Sequence, residues 1–262
     1  MLLSISKIFP LHCYQNRELI AFKLHLKMRN SATNSARNIP NYANKLLDLA
    51  GLSPLPPQFY IPDPREIAPK LLGKLLLRRK GRSLRAGRIV ELEAYLGADD
   101  AAAHAAAGLT QRNSVIFGPP GRAYVYLTYG LHYCLNISCM PEGEAGCLLF
   151  RAIEPLAGFS AMAKARGLTD ATVKEPPALR QLTSGPARLC QALEITREHD
   201  NNRDMTSSDS GLWIADDGYK VKKVVITPRI GITKSAALPL RYCIEGNPFV
   251  SGMKKIRNRG SI

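Results

Sequence analysis

The chain has 262 residues and carries 36 Lys and Arg against 21 Asp and Glu, which gives a net charge of +15 and an isoelectric point near 9.7. This excess of positive charge is typical of a domain that binds a polyanion, and it argues against a neutral sugar as the substrate. No apolar run approaches the ~18–20 residues that a membrane span needs, so we expect no membrane segment.

The first 45 residues differ in composition from the rest of the chain. Residues 1–40 contain one acidic side chain, Glu18, and Pro10 and several basic residues interrupt their apolar stretches. Residues 30–44 show no apolar periodicity, which is typical of disorder. We therefore predict that residues 1–45 are a disordered or targeting extension, or an overlong start with initiation at Met28, and that residues 46–262 form one domain.

The first elements of that domain follow a proline-rich stretch. Asp63 and Pro64 suit the N-cap and first turn of a short helix. The apolar runs 75–77 and 88–95 flank a Lys-Gly-Arg turn, which predicts a β-hairpin.

Later elements are predicted from apolar runs between turn signals. The strands are expected at 123–128, 131–138, 147–153, 222–227 and 240–245, with Glu154-Pro155 ending the third. Helices are expected at 158–166 and at 185–193, the second opened by Ser184 and Pro186, and surface loops at 170–183 and 200–210. Without βαβ alternation or repeats, this order predicts an α+β single domain, a mostly antiparallel β-sheet with surrounding helices.

The cysteines lie in apolar runs and form no C-x-x-C pair. They are Cys13, Cys134, Cys139, Cys147, Cys190 and Cys243. This pattern indicates buried thiols in a reducing, intracellular compartment and no structural zinc.

The predicted strand at 88–95 has a face that mixes acidic and aromatic side chains. With a period of two, Glu91, Glu93 and Tyr95 face one way. On an arbitrary strand such a face is usually solvated, because Glu is almost never fully buried unless it is paired. The aromatic residues farther along the chain favour a functional face instead.

Three tyrosines occupy the next pair of strands. Tyr124 and Tyr126 share one face, and Tyr129 lies beside Gly130 at the turn between the strands. Tyrosines within strands are usually packing residues. A tyrosine at a hairpin tip has less to pack against, so Tyr129 is the strongest candidate for a contact outside the domain.

Three further side chains are candidates for a site. His104 lies among small residues without a second His or Cys at metal-ligand spacing, so it is either a satisfied loop or core histidine or a wall of a flat ligand pocket. Arg151 lies in an apolar run and needs a carboxylate partner, for which Glu93 is available. Asn136 is a polar residue within an apolar strand.

These residues belong to an ordered set of short motifs. The motifs are RIVELEAYLG at 88–97, His104, QRN at 111–113, YVY at 124–126, YG at 129–130, LNIS at 135–138, LLFRAIEP at 148–155, SGP at 184–186, RIGI at 229–232 and NPFV at 247–250. In order and spacing the set resembles the alkyladenine, or 3-methyladenine, DNA glycosylase family, from about Pro54 to about Val250. Leu92, where a threonine is common, and Gln111, where a proline is usual, depart from the family pattern.

The resemblance implies a role for each candidate. Glu93 would be the general base for a water molecule that Arg151 and the main-chain carbonyl of Ile230 help to hold. Tyr129 would enter the DNA at the tip of a protruding β-hairpin. The residues expected around the extruded base are Tyr95, His104, Tyr126 and Asn136, the last disfavouring normal guanine.

The resemblance also implies a function. The expected enzyme flips alkylated or deaminated purines (3-methyladenine, 7-methylguanine, hypoxanthine, ethenoadenine) out of double-stranded DNA and hydrolyses the N-glycosidic bond, leaving an abasic site. No lysine stands out as a Schiff-base nucleophile, so we expect a monofunctional enzyme without metal or cofactor. We expect a monomer that acts inside the cell on nucleoid or nuclear DNA, or in an organelle if the extension targets one.

Two other functions stay open at this point. A non-catalytic nucleic-acid-binding protein could stack its tyrosines on bases without any chemistry. A carbohydrate hydrolase could use Glu91 and Glu93 as a pair of carboxylates, which on one strand face lie about 7 Å apart.

Overall fold

The computed structural model describes residues 49–81, 83–169 and 176–252. The chain divides after Gly51, and the first unit contributes one described 3-10 turn, Leu49–Gly51. The prediction for residues 1–45 falls outside the described residues. The sheet, its helices and the candidate site belong to the second unit, which begins at Leu52.

Short helices and one sheet build this unit. The helices are α1 (Pro64–Leu71), α2 (Phe159–Ala165), α3 (Pro176–Thr183), α4 (Pro186–Ala192) and α5 (Arg197–Asp200), with 3-10 turns at Pro57–Tyr60, His104–Ala107, Ser114–Phe117 and Ser208–Ser210. The strands are β1 (Leu75–Lys80), β2 (Ser83–Tyr95), β3 (Ala123–Thr128), β4 (His132–Cys139), β5 (Gly146–Ala157), β6 (Leu212–Ala215), β7 (Val224–Thr227) and β8 (Arg241–Ile244). The α+β prediction is confirmed.

The sheet is eight-stranded and all its described pairings are antiparallel, with the main order β3-β4-β5-β2-β1-β6. Strand β2 is central: β5 pairs along one side, while β1 and then β8 pair along the other, and β7 pairs with β8. The β2–β5 register shifts on both sides of Glu91. Such bulges bend a strand and re-aim its side chains, and here the bulge directly precedes Glu93.

Strand β2 lies in the core, and its residues from Arg85 to Ala94 are all buried. Leu92 on β2 and Phe150 on β5 are fully buried members of the main hydrophobic cluster. A central strand with both faces covered has no solvated face, so Glu91 and Glu93 must find partners inside the protein.

The predicted start of α1 is confirmed. The Asp63 side chain accepts a hydrogen bond from the Arg65 amide at 2.7 Å, and Pro64 is the first helical residue. The aspartate satisfies one of the free amides of the first turn, and proline has no amide that needs a partner there.

Two strand predictions were wrong. Strand β5 does not end at Glu154-Pro155 but continues to Ala157, and a register shift between Ala86 and Gly87 accommodates Pro155, which has no N–H to donate. Strand β6 was not predicted at all. Its four residues are fully buried, and so short a run carries no periodicity that pattern alone could detect.

Two helix predictions also need correction. The described part of the predicted loop 170–183 is helix α3, whose Leu182 is fully buried in the main hydrophobic cluster. Helix α4 begins after Gly185 without a side-chain cap, and Ser184 instead forms a bridge with Ala152 of β5. In both places tertiary packing outweighs the local polar signal.

The cysteines of the described part are buried free thiols, as predicted. Within the same residues no cluster of three or more His, Cys, Asp or Glu side chains could hold a metal ion. None of the helices described is both long enough and apolar enough to cross a bilayer.

Candidate active site

Two buried carboxylates share one arginine at the centre of the sheet. Glu91 and Glu93 are both fully buried, and Arg151 on β5 places Nε 3.0 Å from Glu91 Oε1 and Nη1 3.2 Å from Glu93 Oε1. Burial alone would lower the pKa of Arg151, but the charges of Glu93 and Glu91 raise it above its ordinary value. The predicted pairing of Arg151 with Glu93 is confirmed.

Glu91 is saturated with protein donors. Its Oε1 accepts hydrogen bonds from Arg151 Nε, Arg241 Nε at 2.7 Å and Ser251 Oγ at 2.9 Å, and its Oε2 accepts from the Ser251 amide at 2.6 Å. A carboxylate has about four lone-pair sites, so little capacity is left for a substrate or a water. Glu91 therefore joins β2, β5, β8 and the segment after β8.

One carboxylate oxygen of Glu93 has fewer polar contacts than the other. Its Oε1 accepts a hydrogen bond from the Ile230 amide at 2.8 Å and contacts Arg151, whereas its Oε2 accepts one from the Tyr95 hydroxyl at 2.9 Å. Burial, followed by the Glu93 charge, raises the pKa of Tyr95 well above its ordinary value, so the phenol stays a donor. Oε2 can accept a further hydrogen bond, as a carboxylate that binds water must.

The backbone of Ile230 reaches Glu93 through its amide, a contact that the sequence motif did not suggest. The predicted role of the Ile230 carbonyl as a water acceptor stays a prediction. Residue 230 itself is 37% exposed, so the segment that carries it lies at the boundary between the buried carboxylates and solvent.

The sheet register brings the aromatic residues to the face that carries Glu93. Glu93 lies opposite Leu149, Leu149 opposite Asn136, and Asn136 opposite Tyr124. Directly opposed residues point to the same side of a sheet, and so do residues two apart on one strand, which adds Tyr95 and Tyr126. Glu93 and Asn136 are thus two strand spacings apart, roughly 10 Å between backbones.

His104 joins this aromatic group from the loop after β2. Its ring centroid is 4.5 Å from that of Tyr126, and its Nδ1 is 2.8 Å from the Tyr124 hydroxyl. Desolvation and then the nearby charge of Arg112 lower the pKa of His104, so its ring is neutral near pH 7. A neutral imidazole against tyrosines provides the kind of flat wall on which a base stacks.

The loop that carries His104 is held by an asparagine. The Asn113 amide group donates to the carbonyls of His104 and Gly108, both at 2.9 Å, and its oxygen accepts from the Thr110 amide at 2.7 Å. Asn113 is 2% exposed, so these bonds are desolvated. They fix the backbone at His104, a residue that is predicted to lie beside the extruded base.

Asn136 is buried next to Tyr124 of the aromatic group. It is 2% exposed, its Nδ2 donates to the Tyr124 carbonyl at 3.1 Å, and the Cys147 thiol lies 3.9 Å from its Oδ1. These contacts give the amide a defined orientation. Its predicted discrimination against normal guanine stays a prediction.

Tyr129 lies at the tip of the β3–β4 hairpin, away from the buried carboxylates. Tyr129 and Gly130 have φ values of 50° and 67°, and the Leu131 amide donates to the Thr128 carbonyl at 3.1 Å, as in a tight turn that suits the twist of the strands. Tyr129 is 86% exposed and Leu131 is 76% exposed. The structure therefore places Tyr129 at the exposed tip of the hairpin, apart from the residues that are predicted to stack on the base.

Sequence reasoning missed several residues of this region. Arg241 and Ser251 bind Glu91, and a buried Asp100–Arg229 pair lies against Tyr95, with the Arg229 Cζ atom 4.5 Å from the ring centroid. In the sequence, Arg229 stands out only as the first residue of the RIGI motif. The partners are more than 100 residues apart in the chain, so no local pattern could have joined them.

A cavity elsewhere in the described part of the chain is chemically different. This cavity of about 380 Å³ is lined by Arg78, Arg79, Lys80, Gly81, His199, Arg203 and Ser210, and it contains none of the predicted site residues. Arg78 and Arg203 both bind Asp200. The residues that line the cavity include no carboxylate and no tyrosine.

Comparison with known proteins decides the family. The model of the family described as methylpurine-DNA glycosylase matches residues 58–248, which include every predicted site residue. The chain belongs to the methylpurine-DNA glycosylase family. Members of this DNA-repair family are hydrolases that cleave the N-glycosidic bond of DNA, so the resemblance found in the motifs is confirmed.

Similar proteins match this chain over most of their own length. A protein of Koribacter versatilis is 60% identical over 206 residues, which cover 79% of this chain and 97% of that protein. A protein of Anaeromyxobacter dehalogenans strain 2CP-1 is 43% identical to this chain, and the match covers 85% of that protein. A protein of Burkholderia lata is 44% identical, and the match covers 91% of it. The names of all three contain the words 3-methyladenine DNA glycosylase.

Proposed function

We propose that this methylpurine-DNA glycosylase is a monofunctional enzyme that extrudes alkylated or deaminated purines from double-stranded DNA and releases them with a water molecule activated by Glu93. The observation that carries the proposal is the burial of Glu93 and the set of groups that contact it. It is a fully buried carboxylate, held by Arg151, the Ile230 amide and Tyr95, on the sheet face that also carries Tyr126.

Recognition begins with the DNA backbone and the hairpin tip. The net charge of +15 favours association with phosphates in a salt-dependent way. Extrusion of a base costs a few kcal/mol, and an exposed Tyr129 ring that fills the gap offsets part of this cost. Lesions that are already weakly paired cost less to extrude, which gives a first level of selectivity.

The extruded base is stacked by rings rather than read by many hydrogen bonds. Tyr95, Tyr126 and His104 supply the rings, and stacking is worth ~1–3 kcal/mol per base whatever the ring system. Such a pocket accepts 3-methyladenine, 7-methylguanine, hypoxanthine and ethenoadenine alike. Asn136 would exclude normal guanine by crowding its amino group.

Bond cleavage places positive charge on the sugar. The carbon–nitrogen bond breaks with its electron pair going to the base, and the sugar becomes oxocarbenium-like, as in other glycosidic cleavages. Glu93 accepts a proton from the water that adds to this carbon, and its negative charge opposes the developing positive charge. Arg151 and the Ile230 backbone keep the carboxylate aimed at that water.

Water, and not an amine, is the proposed nucleophile. In the part of the chain that the structure describes, Glu93 forms its polar contacts with Arg151, the Ile230 amide and Tyr95, and none of these is a lysine. An enzyme that forms no Schiff base leaves an intact abasic site. We propose that it acts as a monomer inside the cell.

The test is an assay of the purified chain on duplexes that each contain one of the four lesions. We expect base release from at least one duplex, and strand breaks only after alkali treatment of the product. Binding without release from every duplex would support the non-catalytic alternative. Strand breaks before alkali, together with an enzyme–DNA adduct trapped by borohydride, would refute the monofunctional mechanism.

A further inference from the structure

A buried ion pair lies against the Tyr95 ring, next to the proposed active site. Arg229 and Asp100 have no exposed side-chain surface, and Nη1 and Nη2 of the arginine contact the two carboxylate oxygens at 2.5 and 2.7 Å. Arg229 Nη1 also donates to the Ala94 carbonyl at 2.9 Å. Its guanidinium carbon lies 4.5 Å from the centroid of the Tyr95 ring. The planar group is thereby fixed in position and in orientation.

The pair joins three segments that carry site residues. Ala94 and Tyr95 end β2, and Ile230, the neighbour of Arg229 in the chain, donates its amide to Glu93 at 2.8 Å. Asp100 accepts hydrogen bonds from the amides of Leu96 and Ala102, which shape the turn that leads to His104. Movement of Arg229 would therefore displace both the Tyr95 ring and the backbone that holds Glu93.

We propose that Asp100 and Arg229 act together as positioning residues that set the Tyr95 ring and the Glu93 carboxylate in one fixed geometry for base release. The inference rests on the proposed function. Tyr95 is the element common to both tasks, because its ring is predicted to stack on the base while its hydroxyl donates to Glu93 Oε2 at 2.9 Å. A misplaced ring would disturb the stacked base and the carboxylate together.

Charge balance agrees with this role. Burial raises the pKa of Asp100, but the hydrogen bonds from Arg229 and from the amides of Ala102 and Leu96 lower it overall, so the pair is ionised. Asp100 neutralises Arg229 locally, which leaves Arg151 as the cation in direct contact with Glu93.

The chain contains a matched control near the middle of β2. Arg88 donates to both oxygens of Asp217 at 3.0 and 2.9 Å and to the Gly73 carbonyl at 2.7 Å, and its guanidinium carbon lies 3.9 Å from the Tyr219 ring centroid. The constellation of arginine, aspartate, carbonyl and tyrosine is the same. In the described part of the chain, these hydrogen bonds and this ring contact do not involve Glu93, Tyr95 or His104.

The experiment compares Arg229→Lys with Arg88→Lys. Each change keeps a positive charge for the aspartate and removes the flat, forked guanidinium, so similar losses of stability are expected. Single-turnover base release at saturating enzyme should be about 10- to 100-fold slower for Arg229→Lys, because small misplacements of reacting groups cost this much, and unchanged for Arg88→Lys. Affinity for undamaged duplex should stay equal in all three proteins.

Asp100→Asn provides a second measurement. It should slow base release in the same direction, and the double variant with Arg229→Lys should be less impaired than the product of the two effects, because both act through one contact. Base release by Arg229→Lys at the rate of Arg88→Lys would overturn the positioning role. A wild-type chain that releases no base would instead contradict the proposed function, and with it the inference.

Discussion

Replacing Glu93 by glutamine removes one negative charge from a desolvated cluster and changes little of its shape. The wild-type cluster pairs two carboxylates, Glu91 and Glu93, with two guanidinium groups, Arg151 and Arg241. The glutamine keeps one acceptor oxygen for the Ile230 amide at the position where the wild-type bond is 2.8 Å long. The contact with Arg151 loses the negative charge of its acceptor, and the Tyr95 hydroxyl, which donates to Oε2 at 2.9 Å, loses a carboxylate acceptor.

The contacts allow the expected cost to be worked out for folding and for catalysis separately. A buried pair that loses one partner costs about 3–5 kcal/mol when the other charge is left alone. Arg151 keeps its 3.0 Å contact with Glu91, so we expect about 2 kcal/mol, close to the value of one hydrogen bond to a charged group. This loss is smaller than the free energy of unfolding of a typical domain, about 5–15 kcal/mol, so we expect the variant to stay folded. Loss of a general base slows a reaction by about 10²–10⁴, or about 3–5 kcal/mol in the barrier.

The assay is single-turnover release of hypoxanthine from a duplex, with the folded fraction measured by urea unfolding. Lesion-duplex binding by Glu93→Gln should stay near wild type. Glu91→Gln is the matched control, because it alters a buried carboxylate of the same strand whose hydrogen bonds go to Arg151, Arg241 and Ser251. This variant should lose stability but retain most of the activity. If Glu93→Gln released base at the wild-type rate, or if both variants lost activity equally, the assignment of Glu93 as general base would be wrong.

Three further outcomes are expected. Tyr129→Ala should weaken lesion-duplex binding by ~1–3 kcal/mol and leave the melting temperature unchanged, because Tyr129 is 86% exposed; parallel losses in both measurements would make it a packing residue. The logarithm of the duplex affinity should fall linearly with that of the salt concentration, and a flat dependence would exclude phosphate contacts. The pKa of Asp100 is lowered in the folded state, so its ionised carboxylate contributes its full stabilisation above about pH 4. This contribution is lost as the pH falls through the folded-state pKa. The stability difference between wild type and Asp100→Asn in urea should therefore shrink below about pH 4, and a constant difference would contradict the ion pair.

The sequence was sufficient for features that depend on neighbouring residues. The β1–β2 and β3–β4 hairpins, the capped start of α1 and the buried thiols were all predicted from runs of a few residues. The ordered motifs named the family as well, because they record which side chains occur and in which order. The omitted strand β6 and helix α3 show where this reasoning ends, since both are short and owe their form to burial against distant segments.

What only the tertiary structure decided is the difference between two similar glutamates. Glu91 and Glu93 share a strand face and an arginine, yet the first is saturated by Arg241 and Ser251, 150 and 160 residues away, while the second is held by the backbone at residue 230 and by Tyr95. A period of two assigns both side chains to one face but cannot say which donors reach them. That depends on the β2–β5 register, its bulge and the path of remote segments, and these are set by the packing of the whole sheet.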